Sequence, residues 1–190
     1  MRRVIIVHGW DGFPENHWFP WLKKKLEEKN FQVIVPQMPD PENPKIETWV
    51  AHLKKIVGKP DQNTFFVGHS IGCQTIMRYL ETLEDKSKVG GIIFVAGFFN
   101  LPFLETNAEK KIAKPWLETP VKTDKIKKLT KHIVAIFSDD DSDVSLDDAK
   151  LFKDRLGAKI IVEKNKGHFT SSRGVNELPS ALNAIEEMLA

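Results

Sequence analysis

The sequence has a single cysteine, no long apolar run and no excess of charge of either sign. Cys73 alone excludes an internal disulfide framework and a multi-cysteine zinc site. No stretch approaches the roughly 18 apolar residues of a membrane-spanning helix, and the run Val4–Val7 is too short for a signal-peptide core. The 28 Lys and Arg residues nearly balance the 26 Asp and Glu residues, which gives no argument for binding nucleic acid or an anionic membrane. We therefore expect a cytoplasmic protein with neither of these partners.

Short apolar runs alternate with amphipathic stretches along the 190 residues. The runs lack polar alternation, which is typical of strands buried on both faces of a parallel sheet. They are Val4–Val7, Phe31–Val35, Thr64–Val67, Gly91–Val95, Ile133–Phe137 and Lys159–Val162. The helical patterns are Trp18–Lys29, Thr48–Val57, Ile71–Leu83, Leu146–Leu156 and Leu178–Leu189. The alternation predicts one α/β domain over residues 1–190, with a six-stranded, mostly parallel sheet and helices on both faces.

One segment, residues 97–124, is longer than a single connecting helix requires. It carries the aromatic residues Phe98, Phe99, Phe103 and Trp116 together with three prolines. It is interpreted either as a long loop over a small satellite cluster or as an insertion that lines a substrate site, since long loops in compact domains are often functional. Under the second interpretation these four aromatic residues bind substrate.

The strongest chemical signal is a strand that runs into Gly68-His69-Ser70-Ile71-Gly72 and then into a helix. In Gly-x-Ser-x-Gly the serine occupies a strained strand-to-helix turn, which only very small neighbours tolerate. The turn raises the Ser70 hydroxyl above the sheet, in front of the N-terminus of the helix. We interpret Ser70 as a nucleophile; the alternative is a glycine-rich turn with an exposed serine.

A serine hydroxyl needs a base, usually a histidine held by a carboxylate. Among the six histidines, only His168 follows both Ser70 and the acidic loop, which is the chain order Ser, Asp, His of one hydrolase class. It also follows the sixth predicted strand, so it is expected at the same sheet edge as Ser70. The sequence therefore predicts that His168 is the general base.

The carboxylate is expected in the loop after the fifth strand, which contains Asp139, Asp140, Asp141 and Asp143. Chemistry alone does not choose among these four aspartates. A divalent cation site is a further interpretation, but the spacing matches no standard calcium loop, and we expect neither a metal nor a cofactor.

An oxyanion hole needs two N–H donors. One is expected from the backbone of Ile71, directly after the nucleophile, and the other from the loop after the first strand, with Trp10 as the donor. The alternative for His8-Gly9-Trp10-Asp11-Gly12 is a glycine-rich turn without a role. Cys73, in the first turn of the nucleophile helix, is interpreted as a structural residue.

These motifs resemble the α/β-hydrolase superfamily. More narrowly, the chain resembles the small serine hydrolases that include retinoblastoma-binding protein 9 and the bacterial YdeN-like proteins. The resemblance covers nearly the full length and rests on segments such as His17-Trp18-Phe19-Pro20-Trp21, Gly68-His69-Ser70 and Gly167-His168-Phe169. It implies a minimal α/β-hydrolase fold without a large cap domain, with Ser70 and His168 in the catalytic roles.

The same resemblance places the catalytic acid on Asp141. The family often has proline after the following valine, where this chain has Ser145, so Asp140 remains the alternative one position away. The combined expectation is a serine hydrolase that cleaves carboxylic esters with small or medium acyl groups, with a small-molecule substrate as its partner. The alternatives are a thioesterase or amidase using the same residues, and a binding module with little or no turnover.

Overall fold

The structure, a computed structural model, describes residues 1–189. Its strands are β1 (Arg3–Val7), β2 (Gln32–Ile34), β3 (Thr64–His69), β4 (Gly91–Val95), β5 (Ile133–Ser138) and β6 (Lys159–Glu163). They form one sheet in the order β2-β1-β3-β4-β5-β6. Every pairing in it is parallel. The predicted six-stranded α/β architecture is confirmed.

Seven α-helices connect and follow these strands in the described part of the chain. They are α1 (Phe19–Glu27), α2 (Ile46–Val57), α3 (Ile71–Leu80), α4 (Asn107–Glu118), α5 (Thr123–Leu129), α6 (Asp148–Leu156) and α7 (Pro179–Glu187). No helix within residues 1–189 has the length and apolar character to cross a membrane. The same residues contain no separate cap domain, as the resemblance implied.

Helices α4 and α5 were not predicted as helices, because prolines interrupt the helical pattern of the segment 97–124. Helix α4 is nevertheless marked by a capping box, a local signal that the sequence contains. The Thr106 hydroxyl accepts the Glu109 N–H at 3.1 Å, and the Glu109 carboxylate accepts the Thr106 N–H at 2.7 Å. Helix α5 has only seven residues, which is too short for a clear periodic pattern.

Both faces of the sheet are buried, which explains why the strands read as continuous apolar runs. Along β3, Phe66 faces the cluster formed with α2, α3 and α6, while Phe65 and Val67 face the cluster formed with α1 and α7. This alternation follows from the two-residue repeat of a strand. The sheet is thus the rigid platform on which the loops at its carboxyl edge are placed.

The chain moves from β1 to β2 on one side and then returns to place β3 on the other side of β1. The loops that follow β1 and β3 therefore separate at the carboxyl edge of the sheet. Such a switch point leaves a crevice where open α/β sheets bind ligands. The register pairs Val7 with Gly68, which brings the segment after Val7 beside the one that contains Ser70.

Candidate active site

Ser70 lies between β3 and α3 in a strained backbone conformation, with φ 54° and ψ −122°. The two flanking glycines make this turn possible because neither has room for a side chain. A Cβ on Gly68 would lie 2.8 Å from the backbone of Cys73, and one on Gly72 would lie 2.3 Å from the carbonyl oxygen of Val7. The turn therefore requires glycine at positions 68 and 72, because any larger residue would collide with neighbouring backbone atoms.

The backbone N–H groups of Trp10 and Ile71 lie in the segments that meet at Ser70. A Cβ on Gly9 would approach the Ser70 Cβ to 3.2 Å, so the loop after β1 passes directly beside the serine. Within residues 1–189 neither N–H group donates a hydrogen bond to another backbone carbonyl. Both groups therefore remain available to a hydrogen-bond acceptor from outside the backbone, as the donors of an oxyanion hole must be.

His8 holds the loop after β1 in place. Its Nδ1 lies 2.8 Å from the Gly9 carbonyl oxygen, and its Nε2 accepts the Met38 N–H at 3.0 Å. These two partners require a neutral ring with the proton on Nδ1. Burial lowers the pKa of His8, which favours that neutral form. His8 therefore links the loop that contains Trp10 to the backbone at Met38.

His168 and Asp141 form a direct pair. The Nδ1 of His168 lies 2.9 Å and 3.1 Å from the two carboxylate oxygens of Asp141. The Asp141 side chain is 3% exposed, and its Oδ1 also accepts the N–H groups of Asp143 and Val144 at 2.9 Å and 3.1 Å. The carboxylate is thus fixed by its own loop and presented to the imidazole, where it would stabilise a positive charge on the ring.

Asp140, the alternative acid, binds the loop of His168 and, among the described residues, forms no hydrogen bond with the imidazole. Its Oδ1 accepts the Ser138 hydroxyl and the Gly167 N–H, both at 2.7 Å. These hydrogen bonds, first the one from Ser138, lower the pKa of Asp140. Asp139 accepts the Asn165 N–H at 2.9 Å. Adjacent aspartates thus have different partners. Asp139 and Asp140 connect the loop that carries Asp141 to the loop that carries His168.

No role was predicted for His69 from the sequence. The Nε2 of His69 lies 2.8 Å from the carbonyl oxygen of His168, so the ring donates its proton there. Burial, followed by the nearby His168, lowers the pKa of His69 well below its ordinary value. A neutral His69 therefore ties the serine turn to the loop that carries His168. The only sequence signal for this role is that a histidine directly precedes Ser70 in the motif.

A cleft of ≈ 940 Å³ opens over these groups, and Ser70, His168, Trp10 and Ile71 all line it. No hydrogen bond joins the Ser70 hydroxyl to His168 within the described residues; such contacts commonly tighten when substrate binds. Phe98 forms part of the buried wall and Phe103, 55% exposed, lies at the opening. Part of the segment 97–124 thus lines the site.

Two of the four predicted aromatic residues lie elsewhere. Phe99 packs on Phe152, with ring centroids 4.9 Å apart, and is outside the cleft. Trp116 is 1% exposed and donates its indole N–H to the Pro44 carbonyl at 3.0 Å. It borders a separate cleft of ≈ 430 Å³ between α4 and the start of α2. The structure does not bring these two residues to the cleft over Ser70, because Phe99 packs on Phe152 of α6 and α4 buries Trp116 in the core.

Two further groups bear on the chemistry. Cys73 is buried and burial raises the pKa of its thiol, which makes it a poor nucleophile. Asp141, Asp143 and His168 offer ligand atoms within 4.8 Å of one another. A metal ion there would compete for the His168 nitrogen that Asp141 holds, so the same atoms cannot serve both arrangements.

The chain matches known proteins over nearly its whole length. The serine hydrolase family profile matches residues 4–187. The YdeN hydrolase of Bacillus subtilis (strain 168) is 35% identical over 97% of this chain and 94% of that protein. The serine hydrolase RBBP9 of Rattus norvegicus is 27% identical over 99% of this chain and 95% of that protein.

Solved structures agree with the sequence matches. The crystal structure of the ydeN gene product from B. subtilis superimposes with a TM-score of 0.90 at 31% identity, covering 100% of this chain and 99% of that one. Est1E from Butyrivibrio proteoclasticus, in its structure with ferulic acid, reaches a TM-score of 0.75 at 16% identity, covering 100% and 88%; this likeness concerns the fold alone. Sequence and structure together place the chain in the serine hydrolase family, on an α/β-hydrolase fold.

Proposed function

We propose that this hydrolase cleaves carboxylic esters with small or medium acyl groups through an acyl-enzyme on Ser70. The observation that carries the proposal is the hydrogen bond between Asp141 and His168 on the wall of the cleft that contains the strained Ser70. A buried carboxylate that fixes one imidazole nitrogen leaves the other to act as a base. A purely structural turn has no need for this combination.

In the proposed reaction, the Ser70 oxygen attacks the substrate carbonyl carbon while its proton passes to Nε2 of His168. The backbone N–H groups of Ile71 and Trp10 donate to the oxyanion that forms. When the carbon–oxygen bond of the ester breaks, His168 returns the proton to the departing alcohol. Water, deprotonated by His168, then attacks the acyl-enzyme and releases the acid and the Ser70 hydroxyl.

The test is covalent labelling by a fluorophosphonate combined with steady-state kinetics. We expect one label per chain, at Ser70, and a loss of turnover by several orders of magnitude in Ser70→Ala with the fold retained, because the serine side chain carries little packing. Ser87→Ala, in the loop before β4, is the matched serine control. Ser70→Ala activity within about tenfold of the native protein would overturn the nucleophile assignment.

The same assay separates the neighbouring functions. Matched oxygen ester, thioester and amide substrates of several acyl lengths measure which bond is cleaved fastest. We expect the oxygen ester to have the highest kcat/KM. If the fluorophosphonate does not label the protein and none of the acyl substrates is hydrolysed, a binding module on a hydrolase fold is favoured instead.

A further inference from the structure

The cleft over Ser70 has a charge that differs from that of the whole chain. Four acidic residues line it, namely Asp11, Glu105, Glu109 and Asp143, and no Lys or Arg is among its lining residues. The chain as a whole carries a formal charge of +2. The acidic residues come from three parts of the chain: the loop after β1, the N-terminal end of α4 with the loop before it, and the loop after β5. The negative charge therefore surrounds the opening on several sides.

Close ion pairs with Lys or Arg do not neutralise these carboxylates within residues 1–189. In the described part of the chain, no Lys or Arg nitrogen lies within 4.0 Å of Asp11, Glu105 or Glu109. Hydrogen bonds from the Thr106 backbone, then from its side chain, lower the pKa of Glu109. Burial lowers the pKa of two histidines of the cleft, His17 and His69, which favours their neutral forms.

The apolar part of the wall suits a cation as well as an acyl chain. Phe98, Leu101 and Leu104 offer apolar surface, and Trp10 and Phe103 offer aromatic rings near the opening. A quaternary ammonium or alkylammonium group is attracted both to the face of an aromatic ring and to nearby carboxylates. A carboxylate or phosphate group would meet like charges, with no Lys or Arg among the lining residues.

We propose that the cleft selects esters whose acyl chain ends in a cationic group and rejects those that end in an anionic group, with neutral esters between them. This inference rests on the proposed hydrolase function and narrows its substrate class. Clefts lined by charge of one sign raise the local concentration of oppositely charged ligands by about 10- to 1,000-fold. We therefore expect kcat/KM for the cationic ester to exceed that for the anionic ester by about tenfold or more at low salt.

The experiment uses three nitrophenyl esters with acyl chains of matched length that end in a trimethylammonium, a tert-butyl or a carboxylate group. Each kcat/KM is divided by the rate of alkaline hydrolysis of the same ester, which removes differences in intrinsic reactivity. The ratio of cation to anion should fall as salt rises, because the Debye length shrinks from about 30 Å at 0.01 M to about 3 Å at 1 M. The double variant Asp11→Asn, Glu105→Gln should lower the ratio by about tenfold.

Glu118→Gln is the matched control, since Glu118 is an exposed glutamate at the far end of α4, outside the cleft. It should retain the native ratio. In parallel, isothermal titration of Ser70→Ala with the three corresponding amides measures charge preference without turnover. The cationic amide should bind more tightly than the anionic one.

Equal or reversed preference, in turnover and in binding, would overturn the inference. So would a cation preference of unchanged size in the double variant, since Asp11 and Glu105 would then not contribute to it. Cation-selective binding to Ser70→Ala, without any turnover or fluorophosphonate labelling of the native protein, would instead refute the hydrolase proposal while supporting the charge selection.

Discussion

At the scale of single residues, Asp140 and Asp141 are neighbours in the chain but face different partners. Asp141 accepts the imidazole of His168, whereas Asp140 accepts the Ser138 hydroxyl and the Gly167 N–H. Under the proposed mechanism, Asp141 sets the tautomer of the base. Asp140 sets the position of the loop that carries the base.

This difference predicts separate outcomes for the two amide substitutions. Asp141→Asn should reduce kcat by orders of magnitude, because an amide at that position favours the wrong imidazole tautomer; a protease with the same arrangement loses about 10⁴-fold. Asp140→Asn should mainly lower the melting temperature and reduce kcat less. Kinetics, with circular dichroism to check folding, measures both effects.

Asp139→Asn and Asp143→Asn serve as controls in the same loop. Their exposed carboxylates are screened by solvent, so each should change kcat by less than about tenfold. A severe loss in Asp140→Asn together with a mild one in Asp141→Asn would show that the acid is one position earlier.

At the scale of elements, α4 is anchored firmly at its C-terminal end. Arg78 of α3 donates to the carbonyl oxygens of Trp116 and Thr119, both at 2.8 Å. Its guanidinium also lies 5.8 Å from the centre of the Trp116 ring. The preceding segment, with Phe103, lies at the cleft. The part of the segment 97–124 around Trp116 therefore belongs to the hydrophobic core, whereas the part around Phe103 lines the cleft.

We predict that this division appears in a pair of alanine variants. Trp116→Ala should lower the free energy of unfolding by about 3–5 kcal/mol, as for other fully buried tryptophans. Phe103→Ala should change the stability little but shift the preferred acyl length. Chemical denaturation and the ester panel measure the two effects. Unchanged acyl preference with a large loss of stability in Phe103→Ala would place that residue in the core.

At the scale of the whole molecule, His8 and His69 are buried in the neutral state, and burial lowers the pKa of each. Above about pH 6.5 the folded and unfolded chains are both neutral at these positions. Below it the unfolded chain takes up protons that the folded chain does not. The free energy of unfolding therefore falls as the pH falls from the unfolded pKa towards the lower folded pKa.

We predict a loss of up to about 1.4 kcal/mol per pH unit for each such histidine between the unfolded pKa, about 6.5, and the lower folded pKa. Urea unfolding across this range should show the slope. His69→Gln should reduce the slope, whereas His132→Gln, at an exposed position before β5, should leave it unchanged. A native protein whose stability is constant across the range would contradict the buried neutral state of these rings.

Much of the architecture follows from local sequence patterns. The six apolar runs predict the strands within two residues of their ends, and five helices begin and end within three residues of the predicted bounds. Burial on both sheet faces requires such continuous runs, so this signal is strong. The turn at Ser70 is marked by a local motif, but only part of its steric cause is local: the room at Gly68 is limited by Cys73, whereas the room at Gly72 is limited by Val7 of the distant β1.

Tertiary structure decided what depends on the direction of a side chain in a loop. Four aspartates in the β5 loop are chemically equal in sequence, and the fold alone determines which of them meets His168. It likewise turns Trp116 and Phe99 away from the cleft, while gathering Asp11, Glu105 and Asp143 around it from distant parts of the chain. The spacing of apolar residues that marks a strand or a helix depends only on residues close together in the chain, so the sequence alone reveals it. Convergence of loops at one sheet edge depends on strand order and long-range packing, which no local pattern contains.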